Sequence, residues 1–364
     1  MLPLPGMKVE QLNLHSAQLL YNSRLSTQGT TSKPDLPRSD NHSRHSVFEY
    51  PPSGIVDFMR KPKALREGST IGIVAPGSNV DRDALLRGVA ALEQSGYHVR
   101  YSDQVFLQEY YFAGAHAVRA AELMQMFADP QIGAIFCARG GYGCHHLLQR
   151  LDPEVLRENP KIFLGYSDIT VLLQYLENQC QMASFHGPMV AREFALGEPY
   201  YNRQNFLSCV AQTGRGQRIT ASGLETLRPG SARGRLTGGC LSLLTATLGT
   251  KWEIQTEGKI LFLEDVNAKP YQVDRMLMHL KLAGKLERVR GLVFGVMLNC
   301  RQSADQGYRL QDIILKTVED YSFPILYGLP SGHTESGSLT LPFGVEATLN
   351  ADDQYLELEE AAVE

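Results

Sequence analysis

The sequence contains a single tryptophan, and its six cysteines form no CxxC pair. Without such pairs, the cysteine spacing suggests neither a zinc site nor a small disulfide scaffold, and scattered thiols are best suited to a reducing cytoplasm. No apolar run reaches the ~18 residues that a membrane span needs. The N-terminus also lacks the basic start and apolar core of a signal peptide. We therefore expect a cytoplasmic protein without a membrane partner.

Strong net charge is missing as well, since the formal charge is -4 over 364 residues. No basic block is present that would follow a phosphate backbone, so nucleic acid is not expected as a partner. The apolar fraction of 43% is enough to fill the cores of two ordinary domains. The composition therefore predicts a soluble globular protein.

Composition also divides the chain. Residues 1–60 are rich in Ser, Thr, Pro, Asp and Asn, which predicts a disordered or loosely attached extension. Met59 lies just before the first convincing strand, so translation starting there is a hypothesis. The polar, Gly-rich stretch over 211–235 is the best candidate for a linker.

Between these segments, apolar strands alternate with amphipathic helices. The strands "TIGIVA", "YHVRY", "GAIFCA" and "KIFLG" are separated by helical patterns such as "AVRAAELMQMFAD" and "HHLLQRL". This alternation predicts an α/β fold with a parallel sheet covered on both faces. A second apolar unit begins near 236, and "GVEATL" and "QYLELE" close it as a predicted hairpin.

The stretch "KIFLGYSDIT" places Ser167 between a buried strand and a helix. One interpretation is a nucleophile elbow, in which the hydroxyl points into a cleft and the following backbone N–H groups face the same point. The second glycine of GxSxG is absent, because residue 169 is Ile. The alternative is that Ser167 or Asp168 merely caps the helix.

A second candidate is the loop "RGGYG", residues 139–143, which also follows a strand. Consecutive glycines let the backbone approach a ligand and turn its amides toward an anion. Three interpretations of the loop are open: it binds a phosphate, it forms half of an oxyanion hole, or it is a plain tight turn. The dinucleotide fingerprint fails, since His146 stands where its third glycine would be.

A serine nucleophile needs a base, usually a histidine oriented by a carboxylate. His333 lies in the loop "GLPSGH" directly after a strand, at the end of a parallel sheet where ligands bind. Glu264 and Asp265 close the strand "KILFLED", and a buried carboxylate must find a donor there. An ordinary loop histidine and a structural ion pair with Lys269 or Arg275 are the alternatives.

Together these pieces resemble the LD-carboxypeptidase family of serine peptidases, which removes the terminal D-alanine from cytoplasmic murein tetrapeptides. The matching stretches include "GSTIGIVAPGS", "CARGGYG", "FLGYSDIT", "FHGPM", "LTGGCLSLL", "LFLEDVNAKPYQVDRML" and "LPSGH". They run in order from residue 68 to about 350. Two departures are His116, where the family often has an acid, and Cys240, where Asn is common.

The resemblance implies a Rossmann-like domain over 61–210 and a smaller mixed α/β domain over 236–364, with the active site at their interface. It also implies a homodimer that needs no metal or organic cofactor.

For the site, the resemblance implies Ser167 as nucleophile, Glu264 as orienting acid and His333 as general base. Backbone N–H groups of Asp168 and Gly141 would bind the oxyanion. Four further residues are expected to contact the substrate: Arg139, Tyr166, His186 and Lys269. Arg192 and Arg275 are further candidates for binding the substrate carboxylate.

Two other functions remain open at this point. A microcin-immunity type carboxypeptidase resembles the same family but cleaves aminoacyl nucleotides, and Trp252 would then be available to stack on the base. A non-enzymatic anion- or nucleotide-binding module would use the glycine loop as a cradle and Ser167 as a cap.

Overall fold

A computed structural model describes residues 58–214, 216–302 and 307–364. The predicted extension lies outside these residues except for 58–60. Arg60 already belongs to the fold, because its N–H donates to Gln181 O at 2.7 Å. Within the described ranges, no helix combines the length and apolarity required to cross a bilayer.

The strands are β1 (Thr70–Val74), β2 (His98–Arg100), β3 (Ile132–Cys137), β4 (Ile162–Gly165), β5 (Ser184–His186), β6 (Arg218–Ile219), β7 (Glu225–Arg228), β8 (Ser231–Cys240), β9 (Ile260–Glu264), β10 (Gly291–Gly295), β11 (Ile325–Leu329), β12 (Leu341–Phe343), β13 (Glu346–Asn350) and β14 (Tyr355–Leu358). The helices are α1 (Arg82–Gln94), α2 (His116–Ala128), α3 (Pro153–Glu158), α4 (Thr170–Cys180), α5 (Arg203–Ala211), α6 (Leu241–Ala246), α7 (Pro270–Leu282) and α8 (Leu310–Thr317).

Two sheets organise the chain, which confirms the predicted α/β class. The six-stranded sheet has the order β12-β5-β4-β3-β1-β2 and is parallel except for β12. The eight-stranded sheet has the order β6-β14-β13-β8-β9-β10-β11-β7, with a parallel centre from β8 to β11. The strands β1, β4, β9 and β10 are almost wholly buried apolar runs, as expected when helices cover both faces of a parallel sheet.

Local sequence explains the regular elements. Helix α1 begins where the Asp81 carboxylate accepts from Ala84 N at 2.8 Å, and it buries Leu85, Val89 and Leu92 on one face. The predicted hairpin is confirmed, because β13 and β14 pair antiparallel with Asn350 opposite Tyr355. The helix predicted over "HHLLQRL" is wrong, since two short 3₁₀ turns stand there, Cys144–His146 and Leu148–Arg150. Pro153 starts the next helix, with Asp152 as its N-cap in an extended conformation, as expected for the residue directly before a proline.

The segment interpreted as a linker, 211–235, contains β6, β7 and the first half of β8. Its glycines and polar residues thus occur within and between strands of the second sheet. The domain boundaries themselves stay a prediction.

The chain returns to the first sheet near its end. Strand β12 pairs antiparallel with β5, with Leu341 opposite His186. The loop between β11 and β12 therefore runs from the second sheet to the first, and it carries His333. Further contacts join the sheets at α4, where the Gln174 amide donates to Gly238 O at 2.9 Å. This crossing brings the carboxyl ends of both parallel sheets to one region.

Candidate active site

Ser167 occupies a strained turn between strand and helix. Strand β4 ends at Gly165, and residues Ser167–Ile169 form one 3₁₀ turn before α4 begins. Ser167 has φ +64°, a left-handed conformation that costs an L-residue about 1–2 kcal/mol. Its hydroxyl makes no hydrogen bond to any other described residue and caps neither helical segment. The geometry fits a nucleophile elbow, and the capping alternative finds no support.

The glycine loop 139–143 packs directly against this serine. A Cβ added to Gly140 would lie 2.8 Å from Ser167 Cβ and 3.1 Å from Ser167 Oγ. Only glycine leaves that space free. Gly141 is in a positive-φ conformation and packs on Ser78. The oxyanion roles of the Gly141 and Asp168 amides stay predictions.

The Asp168 side chain fixes the same loop. It is fully buried, and its Oδ2 accepts from Cys144 N at 2.9 Å. Burial raises the pKa of Asp168, although the bond from Cys144 opposes this. The Asp168 side chain therefore connects the turn at Ser167 to the end of the glycine loop.

Arg119 is a buried supporting residue that the sequence analysis missed. Its side chain, 2% exposed, donates to Gly143 O at 3.2 Å and to Gly114 O at 3.1 Å, and also to Pro76 O. One guanidinium thus connects the loops after β1 and β3. The sequence does contain a sign of this burial: Arg119 lies one helical turn before Leu123, on the apolar face of α2.

Glu264 and His333 form the electrostatic centre of the site. Glu264 ends β9 and is 1% exposed. Its Oε2 accepts from the ring Nδ1 of His333 at 2.8 Å and from the His333 backbone N at 3.1 Å. Because Nδ1 donates to the carboxylate, Nε2 is the ring nitrogen that can accept a proton.

The charges of this pair stabilise each other. Burial raises the pKa of Glu264, but His333 and then His186 outweigh it and bring that pKa to about 2. Burial likewise lowers the pKa of His333, yet the Glu264 carboxylate outweighs it and raises that pKa above its ordinary value. Glu264 thus contacts His333 and His186 and forms no ion pair with Lys269 or Arg275, which was the alternative interpretation.

A close backbone approach holds this pair together. Gly332 has φ +84°, and a Cβ on it would lie 2.7 Å from Glu264 Cδ. The His333 ring packs edge-on against Tyr166, the neighbour of Ser167, with ring centroids 5.1 Å apart. No hydrogen bond joins the Ser167 hydroxyl to His333 within the described structure. The fold thus brings all three predicted residues to one region and directly pairs two of them.

Two residues that are expected to contact the substrate are buried. Tyr166 is 1% exposed and His186 is 0% exposed, so neither side chain reaches the surface in this conformation. The Tyr166 hydroxyl instead donates to Glu193 Oε1 at 2.8 Å. His186 lies behind Glu264, with its Nε2 3.9 Å from Glu264 Oε1. Both were predicted as contacts because sequence shows their neighbours along the chain but not their depth.

The candidate basic residues differ in position. Arg139 and Lys269 are exposed, and Arg139 donates to Asn79 O at 3.1 Å. Arg192 is half-exposed, pairs with Glu193 at 2.9 Å and donates to Thr334 O at 3.5 Å. Arg192 thus lies beside the loop that carries His333.

The two departures from the family pattern are accommodated locally. His116 stacks on His146, with centroids 4.2 Å apart, and its Nδ1 lies 2.6 Å from an Arg119 nitrogen. Cys240 N donates to Thr170 Oγ1 at 3.0 Å, which links β8 to the start of α4.

A cavity of about 810 Å³ opens beyond the His333 loop. Its lining includes Glu335, two residues after His333, together with Arg301, Tyr308 and Arg309. Ser167, Glu264 and His333 do not line it. Its volume lies within the range of small-molecule sites.

Comparison with known proteins identifies the family. The model of the LD-carboxypeptidase N-terminal domain matches residues 71–187, and that of the LD-carboxypeptidase C-terminal domain matches residues 233–349. The chain belongs to the LD-carboxypeptidase family. As a member of that family it is a serine carboxypeptidase, and the resemblance seen in the sequence is confirmed.

Individual members extend this comparison. The chain is 36% identical over 308 residues to a probable murein peptide carboxypeptidase of Bacillus subtilis, covering 84% of this chain and 96% of that protein. The crystal structure of a muramoyltetrapeptide carboxypeptidase from Oxalobacter formigenes is similar with a TM-score of 0.72 and 30% identity, covering 80% and 99% of the two chains. The microcin C7 self-immunity protein MccF of Escherichia coli is 26% identical over 329 residues, covering 81% of this chain and 94% of that protein.

Proposed function

We propose that this LD-carboxypeptidase family member hydrolyses the amide bond of the terminal D-alanine in murein tetrapeptides, with Ser167, His333 and Glu264 as its catalytic residues. The observation that carries the proposal is the hydrogen bond between the buried Glu264 carboxylate and His333 beside the strained turn at Ser167. The similarity to a murein peptide carboxypeptidase supports the substrate. A role in peptidoglycan recycling in the cytoplasm belongs to the same proposal.

The proposed reaction begins at the Ser167 hydroxyl. The Ser167 hydroxyl attacks the carbonyl carbon while His333 Nε2 takes its proton, and Glu264 stabilises the imidazolium through Nδ1. Backbone N–H groups of Asp168 and Gly141 hold the oxyanion. His333 then gives the proton to the departing amine, and D-alanine leaves. Water attacks the acyl-enzyme, His333 accepts its proton, and the tripeptide is released as Ser167 is protonated again.

A carboxypeptidase must also recognise a free terminal carboxylate. Among the candidate basic residues, Arg192 is the one we propose for this role, because it is half-exposed and contacts the residue after His333. Its planar guanidinium suits bidentate binding of a carboxylate. Arg139 and Lys269 would then contact other parts of the peptide.

The proposal is tested by assaying D-alanine release from defined murein tetra- and pentapeptides that differ in the diamino acid. Ser167→Ala and His333→Ala should each lose at least about 10³-fold in kcat. Ser167→Ala should keep its thermal stability, whereas His333→Ala should fold with a lower thermal stability, because the buried Glu264 carboxylate then lacks its ring partner. Ser95→Ala and His98→Ala are the controls, because both residues are exposed and away from the proposed site. Full activity of purified Ser167→Ala would refute the proposal.

A second candidate is hydrolysis of an aminoacyl nucleotide, favoured by the similarity to the MccF protein. Trp252, the residue considered for base stacking, is half-buried and packs against the larger hydrophobic core, to which both sheets contribute, which gives this candidate less support. Comparing kcat/KM for a murein tetrapeptide with that for an aminoacyl sulfamoyl nucleotide separates the two. A non-enzymatic anion-binding module would leave the Glu264–His333 pair without a role.

Homodimer formation, implied by the family resemblance, is also part of the proposal. Light scattering coupled to size-exclusion chromatography tests it, and a monomer at micromolar concentration would remove it.

A further inference from the structure

A second histidine lies behind the proposed catalytic carboxylate. His186 ends β5 and is 0% exposed. Its ring packs against Phe262 and Phe343, with centroids 5.3 Å and 5.5 Å away. An imidazole in so apolar an environment needs partners for both nitrogens.

The proton on His186 Nδ1 can be assigned from its neighbours. Nδ1 lies 3.0 Å from Ser331 Oγ, and that hydroxyl donates its single hydrogen to Leu339 O at 2.8 Å. A carbonyl oxygen only accepts, so the hydroxyl has no hydrogen left for the ring. Ser331 Oγ must therefore accept, and His186 Nδ1 carries a proton.

The other ring nitrogen faces a negative charge. His186 Nε2 is 3.9 Å from Glu264 Oε1, and neither atom has a hydrogen-bond partner among the described residues. With Nδ1 protonated, a neutral ring would direct its Nε2 lone pair toward the carboxylate. A second proton on Nε2 converts this repulsion into a buried ion pair, and a buried charge is tolerated only when paired.

Building on the proposed function, we propose that His186 is a positioning residue that carries this second proton at neutral pH. Its positive charge balances Glu264 from behind and so limits how far that carboxylate raises the pKa of His333, which must be without its Nε2 proton to act as the base. Without His186, the Glu264 charge would act on His333 alone and hold a proton on its ring. Burial raises the pKa of Glu264, and His333 lowers it. His186 also lowers it.

Other charged or titratable groups near this cluster act on it from several elements. They are Tyr166 after β4, Arg192 and Glu193 after β5, Cys240 at the end of β8 and Asp265 after β9. Arg192 opposes protonation of His333, and Asp265 favours it. None of these groups forms a hydrogen bond with His186 Nε2 or with Glu264 Oε1.

The test uses two substitutions in the full-length protein. His186→Asn keeps a donor for Ser331 but removes the group facing Glu264, whereas His186→Gln can present an uncharged N–H to Glu264. Because both remove the charge, both should move the acidic limb of the kcat/KM profile to higher pH, with about a tenfold larger loss at pH 6 than at pH 9. An unmoved limb in both variants, or restoration of the limb by His186→Gln alone, would overturn the proposal.

A second measurement does not depend on activity. In histidine-¹⁵N-labelled wild-type protein, with the signal assigned by its absence in His186→Gln, both ring nitrogens of His186 should show imidazolium shifts at pH 7. A signal typical of the neutral Nδ1–H tautomer at pH 7 would overturn the inference. Lack of carboxypeptidase activity in the wild type would refute the proposed function, while these shifts would still decide the charge of His186.

Discussion

Replacing Glu264 with glutamine removes one negative charge and little volume from the centre of the proposed site. The carboxylate is 1% exposed and accepts two hydrogen bonds from His333, at 2.8 Å and 3.1 Å. An amide oxygen can still accept both, but without charge assistance, which is worth about 1.5–3 kcal/mol for such a bond. We expect Glu264→Gln to fold and to lose about 2–3 kcal/mol of unfolding free energy.

Its catalytic effect should be larger than its effect on stability. An uncharged partner neither stabilises the His333 imidazolium nor fixes the tautomer that presents Nε2 to Ser167, so kcat for D-alanine release should fall about 10⁴-fold. Burial would then dominate and lower the pKa of His333, since Glu264 is what raises it. The acidic limb of the residual activity should therefore move to lower pH, opposite to the shift expected for the His186 variants.

Glu177→Gln is the matched control. Glu177 is also buried, 2% exposed, and it pairs with Lys259 and accepts from Thr237 away from the proposed site. It should cost comparable stability without a comparable loss of kcat. Equal losses of kcat in the two variants, or an active Glu264→Gln, would refute the proposed role of Glu264.

The pH dependence of stability provides a separate check on the same residue. A pKa lowered from 4.5 to about 2 in the folded state corresponds to about 3 kcal/mol at ~1.36 kcal/mol per pKa unit. Because the folded pKa is depressed, this stability is fully present above pH ~4.5 and is lost as the pH falls toward ~2. Urea unfolding should show this loss in the wild type, and Glu264→Gln should show correspondingly less of it.

Three further substitutions test the surroundings of the site. Gly140→Ala places a methyl group 2.8 Å from Ser167 Cβ and should lower kcat about 10²-fold with an unchanged fold by circular dichroism; unchanged kcat would show that the loop yields freely. Arg119→Leu leaves buried carbonyls unpaired and should cost about 3 kcal/mol or more in urea unfolding, whereas a wild-type midpoint would contradict its supporting role. Arg192→Gln should raise KM about 10–100-fold for peptides with a free terminal carboxylate, with the exposed Arg87→Gln as control; equal KM values in both variants would remove Arg192 from that role.

The local pattern of the sequence was enough to predict several of the strands and helices and the strand-to-helix turn at Ser167. These features depend on residues close together in the chain: a buried apolar run, a turn and an amphipathic helix. The hairpin of β13 and β14 was predicted for the same reason. The pairing of β12 with β5 was not, because strand partners more than 150 residues apart leave no trace in local periodicity.

Depth in the fold was the other property that sequence reasoning missed. His186 and Arg119 are polar residue types that usually reach solvent, yet both are buried because several elements converge on them. The strands within 211–235 were also missed, since a glycine-rich polar stretch predicts a linker. There β8 needs Gly234 for close packing, since a Cβ would meet the Gly258 carbonyl at 2.4 Å.

The most direct test of the account is covalent labelling with a serine-reactive fluorophosphonate followed by peptide mapping. We predict that Ser167 is the one modified residue. The rate of D-alanine release should fall in proportion to the fraction of Ser167 that is labelled. The His333→Ala variant should not be labelled. Modification of another serine in step with the loss of activity, or full activity with Ser167 completely labelled, would contradict the claim that Ser167 is the nucleophile served by His333 and Glu264.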